Sequence, residues 1–310
     1  MFYRVRSIQN SLFLLIIFSL ISTYCVAQDV EPRRWTPIPL DTRVIGAGYA
    51  YTSGEVLFDP SLLAEDVKIQ VNTLAFSYVH PLKIGNKFAR LGILVPVNFE
   101  AWDGILEGTA RSVNRNGLVD PRIRFSINLI GAPATDIKGL QQFYQESPTH
   151  TTLGVSLAVR LPLGQYDENK LINVGNNRFV FRPQVGFEHR WGGWSYELTA
   201  SVFFYSANNK FFPDRRKITD PIYALQNHLI YRFKKGIWLA LDLGYGYGGE
   251  SFIDKVPLED YRSNLVAGGS IGFRIDRKQA VKLLYYRKEA LNAVGSDINS
   301  LGLVWSMVLF

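Results

Sequence analysis

The chain has 310 residues, of which 47% are hydrophobic, 14% aromatic and 20% charged. This composition is too apolar for a disordered chain, and a formal net charge of +7 without a Lys/Arg-rich run does not indicate a nucleic-acid partner. The aromatic excess suits a surface at a boundary between water and lipid. Beyond the N-terminal leader, no stretch approaches the ~18 consecutive apolar residues of a membrane-spanning helix.

The N-terminus has the features of a secretory signal peptide. Arg4 and Arg6 precede an apolar stretch at 11–22, and Ala27 stands at the end of a plausible cleavage site. We therefore predict a signal peptide over 1–27 and an exported mature chain. Its removal lowers the formal charge from +7 to +5, because two arginines and no acid leave, and it also removes the single cysteine. The mature chain then has no disulfide and no thiolate metal site.

The segment that follows, 28–43, is rich in proline and charge. We interpret it as an N-terminal periplasmic segment or a small plug that enters the lumen of the structure formed by the rest of the chain. The remaining residues, 44–310, are predicted to form one domain.

Alternating side chains dominate 44–310. In 120–129, every second residue is apolar or proline and the residues between are polar or charged. Successive side chains of a β-strand point to opposite faces, so this strand has one apolar and one charged face. In a soluble sheet the apolar face would meet a core, whereas in a membrane barrel it would meet lipid and the charged face would meet a lumen. One strand alone leaves both alternatives open.

The same pattern recurs and predicts twelve antiparallel strands. They lie at 44–58, 67–81, 88–100, 117–131, 151–163, 177–190, 194–206, 222–233, 236–249, 262–275, 279–289 and 298–310. The second strand does not alternate cleanly throughout, which indicates a bulge.

The connections between these strands alternate in length. Short ones lie at 83–87, 192–193, 234–236 and 276–278, and longer polar ones at about 59–66, 101–116, 164–176, 207–221, 250–261 and 290–297. Transmembrane barrels have short periplasmic turns and longer external loops, and this alternation places every long loop outside. The exception, 132–150, contains the sequence IKGLQQFYQ, for which we predict a short periplasmic helix. A soluble β-sandwich fits less well, because its apolar faces would have to cover one another.

The last strand ends in an aromatic residue, Phe310. This end resembles the aromatic C-terminus that outer-membrane barrels present to the barrel-insertion machinery, although Phe310 is out of phase with the apolar face of its strand. We expect the insertion machinery and outer-membrane lipid as partners, and a bacterial outer-membrane location.

Four segments carry a resemblance to a known family. WTPIPLDTRVIGAGYAYTSGEVLFDP (35–60), GLVDPRIRFSINLIGAPA (117–134), LAVRLPLGQYDENKLINVGNNRFVFRPQVG (157–186) and DPIYALQNHLIYRFKKGIWLALDLGYGYGG (220–249) resemble the outer-membrane transporter-like family labelled "putative MetA-pathway of phenol degradation". The resemblance covers nearly the whole mature chain. It implies an all-β transmembrane antiparallel barrel that passes small organic compounds, including aromatic ones, and it implies no catalytic residue.

If the apolar faces meet lipid, the polar faces line the lumen. The candidate lumen and substrate-binding residues share this inward strand position: Arg90, Glu100, Asp120, Arg122, Arg124, Arg160, Arg182, Gln184, Glu188, Glu197, His228, Arg232, Asp242, Arg274 and Lys282. The excess of guanidinium groups favours anions, such as aromatic carboxylates held by bidentate arginines. The alternative is that arginines pair with the acids and fill the interior as a structural network.

Other functions have weaker support. Outer-membrane phospholipases use a twelve-strand barrel with Ser and His on the lipid face, but outward-facing His189 has no evident serine partner, and we predict no enzyme. We predict no cofactor and no metal site, although acids in the external loops could bind Ca²⁺ instead of remaining solvated. The favoured function is a transporter or channel for a small-molecule substrate, with a plugged structural barrel as the alternative.

Overall fold

The computed structural model describes residues 30–57, 64–211 and 214–310. The predicted signal peptide lies outside these residues. The strands are β1 (Arg43–Leu57), β2 (Ala64–Ile84), β3 (Lys87–Leu106), β4 (Thr109–Leu118), β5 (Arg122–Ile130), β6 (Thr149–Arg160), β7 (Val180–Trp191), β8 (Trp194–Tyr205), β9 (Asn208–Phe211), β10 (Arg215–Thr219), β11 (Ile222–Arg232), β12 (Trp238–Gly248), β13 (Ser251–Ile253), β14 (Val256–Pro257), β15 (Arg262–Arg274), β16 (Gln279–Ala290) and β17 (Gly295–Leu309). The α-helix α1 (Ile137–Glu146) lies between β5 and β6.

Most of these strands form one closed antiparallel barrel. The sheet order is β2-β1-β17-β16-β15-β12-β11-β8-β7-β6-β5-β3-β4, and the additional pairing of β2 with β3 closes the ring. β4 and β5 both pair with β3, so they act as one wall strand interrupted at 119–121. The wall therefore has twelve strands, which confirms the predicted barrel, and each predicted strand overlaps an observed one. The first and last strands pair along their whole length, from Arg43 opposite Leu309 to Leu57 opposite Gly295.

The two faces of each strand meet different surroundings, as β7 shows. Phe181, Pro183 and Val185 point outward and are exposed, whereas Arg182 and Gln184 point inward and are buried. Val185 is 60% exposed while its neighbour Gln184 is only 3% exposed. The apolar residues thus form the outer surface and the polar residues the interior, which is the pattern of a barrel in lipid and the reverse of a soluble fold.

Aromatic side chains cluster at the periplasmic end of β7, β8 and β11. Trp194 packs on Tyr231 with ring centroids 4.7 Å apart, and Tyr231 packs on Phe233 at the same distance. Trp191 stacks beside His189 at 5.7 Å. Amphipathic aromatic rings are stable where hydrocarbon meets water, so the position of this cluster fits a membrane boundary at the periplasmic end.

The helix predicted at the periplasmic side is present as α1. Asp136 caps its N-terminus, since the backbone N–H of Gly139 donates to the Asp136 carboxylate at 2.8 Å. Leu140 is the buried residue of the helix, and the guanidinium of Arg190 from β7 lies 4.4 Å from the ring centre of Tyr144. The helix therefore packs at the periplasmic rim of the wall. No helix in the described part of the chain is long and apolar enough to cross a membrane.

The external side differs from the prediction in two places. The predicted loop at 101–116 is a continuation of β3 and a hairpin into β4, and the predicted loops at 207–221 and 250–261 contain a second, four-stranded sheet of β9, β10, β13 and β14. These strands lie outside the wall, and their sequences lack the apolar alternation by which the wall strands were recognised. The irregularity predicted in the second strand lies at its edge, between Glu65 and Lys68.

Candidate functional site: the lumen and its N-terminal segment

The residues before β1, Val30–Thr42, run through the barrel interior and are called here the N-terminal segment. Its Trp35 is 1% exposed, and the indole N–H donates to Thr199 Oγ1 on β8 at 2.8 Å. Two wall glycines that pair across β6 and β7, Gly154 and Gly186, leave the space for the indole. A Cβ at Gly186 would lie 1.8 Å from the indole ring and one at Gly154 2.5 Å from it. Only glycine fits at these positions while Trp35 is docked.

Arg34 anchors the same segment through polar contacts. Its backbone N–H donates to Glu197 Oε2 at 3.2 Å, and its guanidinium donates to Ser156 Oγ at 3.3 Å and to Gln184 Oε1. The hydroxyl of Thr36 donates to Glu188 Oε1 at 3.4 Å. The inward faces of β6, β7 and β8, which hold these contacts, are called the filled side of the lumen.

The other side of the N-terminal segment leaves a cavity. Its volume is about 280 Å³, and the wall strands that line it are β2, β3, β5, β16 and β17, whose inward faces are called the open side. Its polar lining consists of Arg90, Arg122, Arg124, Lys282, Ser77 and Ser126, with Glu31 contributed by the N-terminal segment. Four cationic side chains thus meet one carboxylate.

Glu31 is the ion-pair partner that the N-terminal segment brings to this cavity. Its Oε2 lies 2.6 Å from Arg124 Nη1 and 3.9 Å from Arg34 Nη1. Arg90 donates from Nε to Ser126 Oγ at 3.4 Å, which fixes its stem against β5. Among the described lining residues, cationic side chains outnumber carboxylates, and charges interact more strongly inside a low-dielectric wall than in water.

A cluster of three hydrogen-bonded polar side chains lies on β11, β12 and β16, between the filled side and the open side. His228 Nδ1 on β11 lies 2.6 Å from Asp242 Oδ1 on β12, and the hydroxyl of Tyr286 on β16 donates to Asp242 Oδ2 at 2.9 Å. His228 and Asp242 both belong to the predicted lumen residues, and the structure brings them into direct contact. They form part of the wall and do not line the cavity.

Three predicted residues lie toward the external end. The Asp120 carboxylate accepts hydrogen bonds from the backbone N–H of Gly164 at 2.9 Å and of Asn176 at 2.8 Å, so it orders the external loop between β6 and β7. The Glu100 carboxylate accepts from the indole N–H of Trp102 at 3.0 Å. Arg160 stands inward at the last position of β6. None of these three lines the cavity.

The other predicted residues also lie away from the cavity. Arg182 donates to Ser201 Oγ at 3.1 Å, and its guanidinium lies 4.4 Å from the ring centre of Phe203. Arg232 donates to Ser195 Oγ at 2.9 Å at the periplasmic end, and Arg274 is exposed at the periplasmic end of β15. Arg182 therefore contacts the wall itself, and Arg232 and Arg274 lie at the periplasmic end, away from the cavity.

Residue patterns alone did not indicate Glu31, Arg34, Trp35 and Thr199 as members of the site. The only signal for the first three was their place in a charged, proline-rich segment before the first strand. For the slot, which is the space that Gly154 and Gly186 leave for the Trp35 indole, the signal was this pair of inward glycines in otherwise polar faces. Among the described residues, no group of three or more His, Cys, Asp and Glu could hold a metal ion.

The outer wall has a depression of about 710 Å³ on its lipid face, across β5 to β8, β11 and β12. Its lining is almost entirely apolar, with Leu157, Pro183 and Val185 near the middle. The ladder between β7 and β8 has a gap there, since the paired positions Phe181 and Gln184 flank two residues without a cross-strand partner in that ladder. Proline has no N–H to donate, which accounts for the interruption.

A closed antiparallel barrel with an apolar outer surface and a polar lumen defines the class of outer-membrane β-barrels. The family model described as "Putative MetA-pathway of phenol degradation" matches residues 47–292, and the chain belongs to this family. The resemblance read from the sequence is therefore confirmed.

One solved outer-membrane channel shows the same fold. The COG4313 outer membrane channel from Pseudomonas putida F1 superimposes with a TM-score of 0.75 at 18% identity, over 91% of this chain and 100% of that chain. The β-domain of the Bordetella autotransporter BrkA gives a TM-score of 0.49 at 10% identity, over 86% of this chain and 98% of that chain. A search of curated proteins finds no match. The location predicted from the sequence, the bacterial outer membrane, is confirmed by the match to this outer-membrane channel.

Proposed function

We propose that the protein is an outer-membrane channel through which small organic compounds cross. The observation that supports it most directly is the cavity of about 280 Å³ inside the lumen, lined by polar and charged side chains. A purely structural barrel has no need of such a space, and cavities of this size are near the lower end of small-molecule sites. The description of the similar Pseudomonas protein as a channel adds support.

The route that we propose runs between the N-terminal segment and the open side of the wall. The filled side is closed to solutes, because Trp35 and Arg34 are buried against β6, β7 and β8. A solute therefore passes the open side, where it meets Arg90, Arg124 and Lys282. The compounds that fit such a route are small.

Solute flux into liposomes tests this function. Folded protein, checked by its heat-modifiable mobility, is reconstituted into liposomes, and swelling is measured in isosmotic phenol, benzoate and a disaccharide. We expect phenol and benzoate to enter faster than the disaccharide and faster than in protein-free liposomes. Equal rates with and without folded protein would reject the channel.

A second candidate, a structural barrel with a permanently filled lumen, has one observation in its favour. Trp35 and Arg34 are almost fully buried and form hydrogen bonds with three wall strands. This candidate predicts no flux in the wild type but flux in a Trp35→Ala variant, whereas the channel predicts flux in both.

We further propose that the barrel has no catalytic role. The outward His189 contacts the Thr151 hydroxyl at 2.9 Å.

We also propose that lipid covers the outer apolar surface and that the last strand, which ends at the exposed Phe310, is the part that the insertion machinery binds.

A further inference from the structure

We propose that the cavity on the open side is a binding site for a small organic monocarboxylate, and that the Glu31 carboxylate occupies this site when no ligand is bound. Glu31 would thus act as an internal competitor carried by the N-terminal segment. The place of this site in transport rests on the proposed function, whereas binding itself does not require flux.

The first argument is the convergence of cations from separate strands. Arg90 comes from β3, Arg124 from β5 and Lys282 from β16, and Arg122 joins them in the lining. Like charges brought together inside a barrel repel each other and lose hydration unless an anion balances them. Among the described residues that line the cavity, Glu31 is the one carboxylate, and Lys282 supplies the charge for a second anion or for a replacement of the first.

Lys282 gives the argument a specific donor. Within the described residues its amino group forms no hydrogen bond, although it lines the cavity. The carboxylates that act on it electrostatically are Glu31 and Asp242, and Asp242 is already bonded to His228 and Tyr286. An ammonium group has three donors, so Lys282 can bind an incoming carboxylate without breaking a protein contact.

Glu31 is placed to leave. Its side chain is 42% exposed, whereas that of its partner Arg124 is 11% exposed. The N-terminal segment is held by Trp35 and Arg34 on the filled side, so the Glu31 side chain can move out of the cavity while these anchors stay. Exchange then replaces one carboxylate on Arg124 with another, which keeps the arginine charge-paired throughout.

The remaining lining indicates an organic anion. Val79, Leu94 and Val304 contribute apolar surface, and Ser77 and Ser126 add hydroxyl groups. An inorganic anion would leave the apolar part of the cavity without a contact, whereas a carboxylate on a small hydrocarbon ring would use both parts. A volume of about 280 Å³ limits that body to a single ring or a short chain.

Benzoate titration of the folded, detergent-solubilised barrel tests the site by calorimetry. Glu31→Gln removes the competing charge and preserves the shape of the side chain. We expect this variant to bind benzoate about tenfold or more tightly than the wild type, because a charge-assisted contact no longer has to be displaced. Lys282→Met is expected to weaken benzoate binding about tenfold; this variant loses no protein hydrogen bond, so failure to fold does not confuse the result.

Glu168→Gln is the matched control. Glu168 forms an ion pair of similar length, 2.6 Å to Lys210 Nζ, but in the external loops outside the cavity. The substitution changes the net charge equally and is expected to leave benzoate affinity unchanged. An equal gain in Glu168→Gln and Glu31→Gln would mean that net charge alone is responsible and would overturn the site.

The other outcomes separate the site from the channel. Equal benzoate affinity in wild type and Glu31→Gln would reject the competitor, and displacement of benzoate by equimolar chloride would reject the organic specificity. Benzoate binding without flux in liposomes would support the site and reject the channel, whereas flux without any benzoate binding would reject the site and support the channel.

Discussion

The filled side and the open side of the lumen are built from similar inward-facing strands but contact different groups of one short segment. On the filled side, the Glu188 carboxylate accepts from the Thr36 hydroxyl, and the Glu197 carboxylate accepts from the backbone N–H of Arg34. On the open side, Arg124 forms an ion pair with Glu31. The filled side thus holds the segment through neutral donors on carboxylates and through the Arg34 guanidinium on Ser156 and Gln184. The open side holds it through an ion pair.

The difference also shows what makes a cavity in a narrow barrel. A bulky residue, Trp35, fills one side because the wall offers the glycine pair Gly154 and Gly186 as its slot. The other side is lined by long cationic side chains, and a cavity of about 280 Å³ remains between them and the N-terminal segment. Close packing thus fixes the segment where solutes are excluded, and the cavity lies where we propose that they pass.

Removal of the Trp35 side chain should have the largest effect on this arrangement. Trp35→Ala deletes the buried ring and its bond to Thr199, and large-to-small changes at such sites cost about 3–5 kcal/mol. We expect the N-terminal segment to leave the lumen, so that trypsin cleaves after Arg33 and Arg34 and single-channel conductance rises. Trp35→Phe, which keeps most of the ring, should give an intermediate cleavage rate. A fully protected segment in Trp35→Ala would show that the filled side does not depend on this residue.

The same substitution on the two sides should have different effects. Gly186→Ala puts a methyl group where the indole lies, and overpacking of this kind costs about 1–3 kcal/mol. Gly92→Ala on the open side meets no atom closer than the Arg124 carbonyl oxygen at 4.0 Å. We expect faster trypsin cleavage at Arg34 in the first variant and a wild-type rate in the second. Similar rates in both would contradict the slot.

Two serines provide a smaller and more selective comparison. Ser156 on the filled side accepts from Arg34 at 3.3 Å and donates to Gln184 at 3.0 Å, whereas Ser126 on the open side accepts from Arg90 at 3.4 Å. Each Ser→Ala change should cost about 0.5–1.5 kcal/mol. Ser156→Ala should increase trypsin cleavage without changing benzoate affinity. Ser126→Ala should change benzoate affinity and leave trypsin cleavage at the wild-type rate. Identical changes in both assays would mean that the two sides are not separable.

The smallest expected effect concerns the external sheet and asks whether anion preference begins above the lumen. Burial, with Arg178 and Arg262 nearby and Asp260 opposing them, lowers the pKa of Lys217 to about 8. The Lys217 ammonium lies 5.0 Å from the ring centre of Phe211. Between pH 7 and 9 the side chain loses its charge, so the ratio of anion to cation permeability should fall modestly in bilayer recordings. Lys217→Arg should keep the ratio constant over this range.

The lowered pKa of Lys217 also makes the stability of the external sheet depend on pH. A charged lysine destabilises the folded state when its folded pKa lies below its unfolded pKa. This destabilisation is fully present below pH about 8. Stability of the external sheet should therefore rise with pH from about 8 toward the unfolded pKa. Proteolysis of the external loops at pH 7 and pH 9.5 measures this; faster cleavage at the higher pH would contradict it.

The sequence predicted the wall well because lipid imposes a strict pattern on it. Every outward position of a wall strand must be apolar, as Val185 and Leu241 are, so the alternation identified each strand in the sequence. The short turns identified the periplasmic side. The mostly exposed strand β4 and the strand β10 of the external sheet carry no such pattern. They are formed by hydrogen bonding to neighbours whose positions depend on the rest of the barrel.

The site was predictable only as a list of inward residues. Arg122, Arg124 and Arg182 all stand at inward positions, yet the first two line the cavity and the third lies over Phe203. Which arginines face space depends on the path of the N-terminal segment and on the register of strands far apart in sequence. No local pattern contains that information.

The contacts of the N-terminal segment also fix an order of assembly. Arg34 is bonded to Glu197, 163 positions later in the chain, so its partners do not exist until the middle strands have been made and paired. Contacts of such long separation form late, because a large loop must close first. The N-terminal segment is therefore the last part of the barrel to find its place, and burial of Trp35 reports that the wall around it is complete.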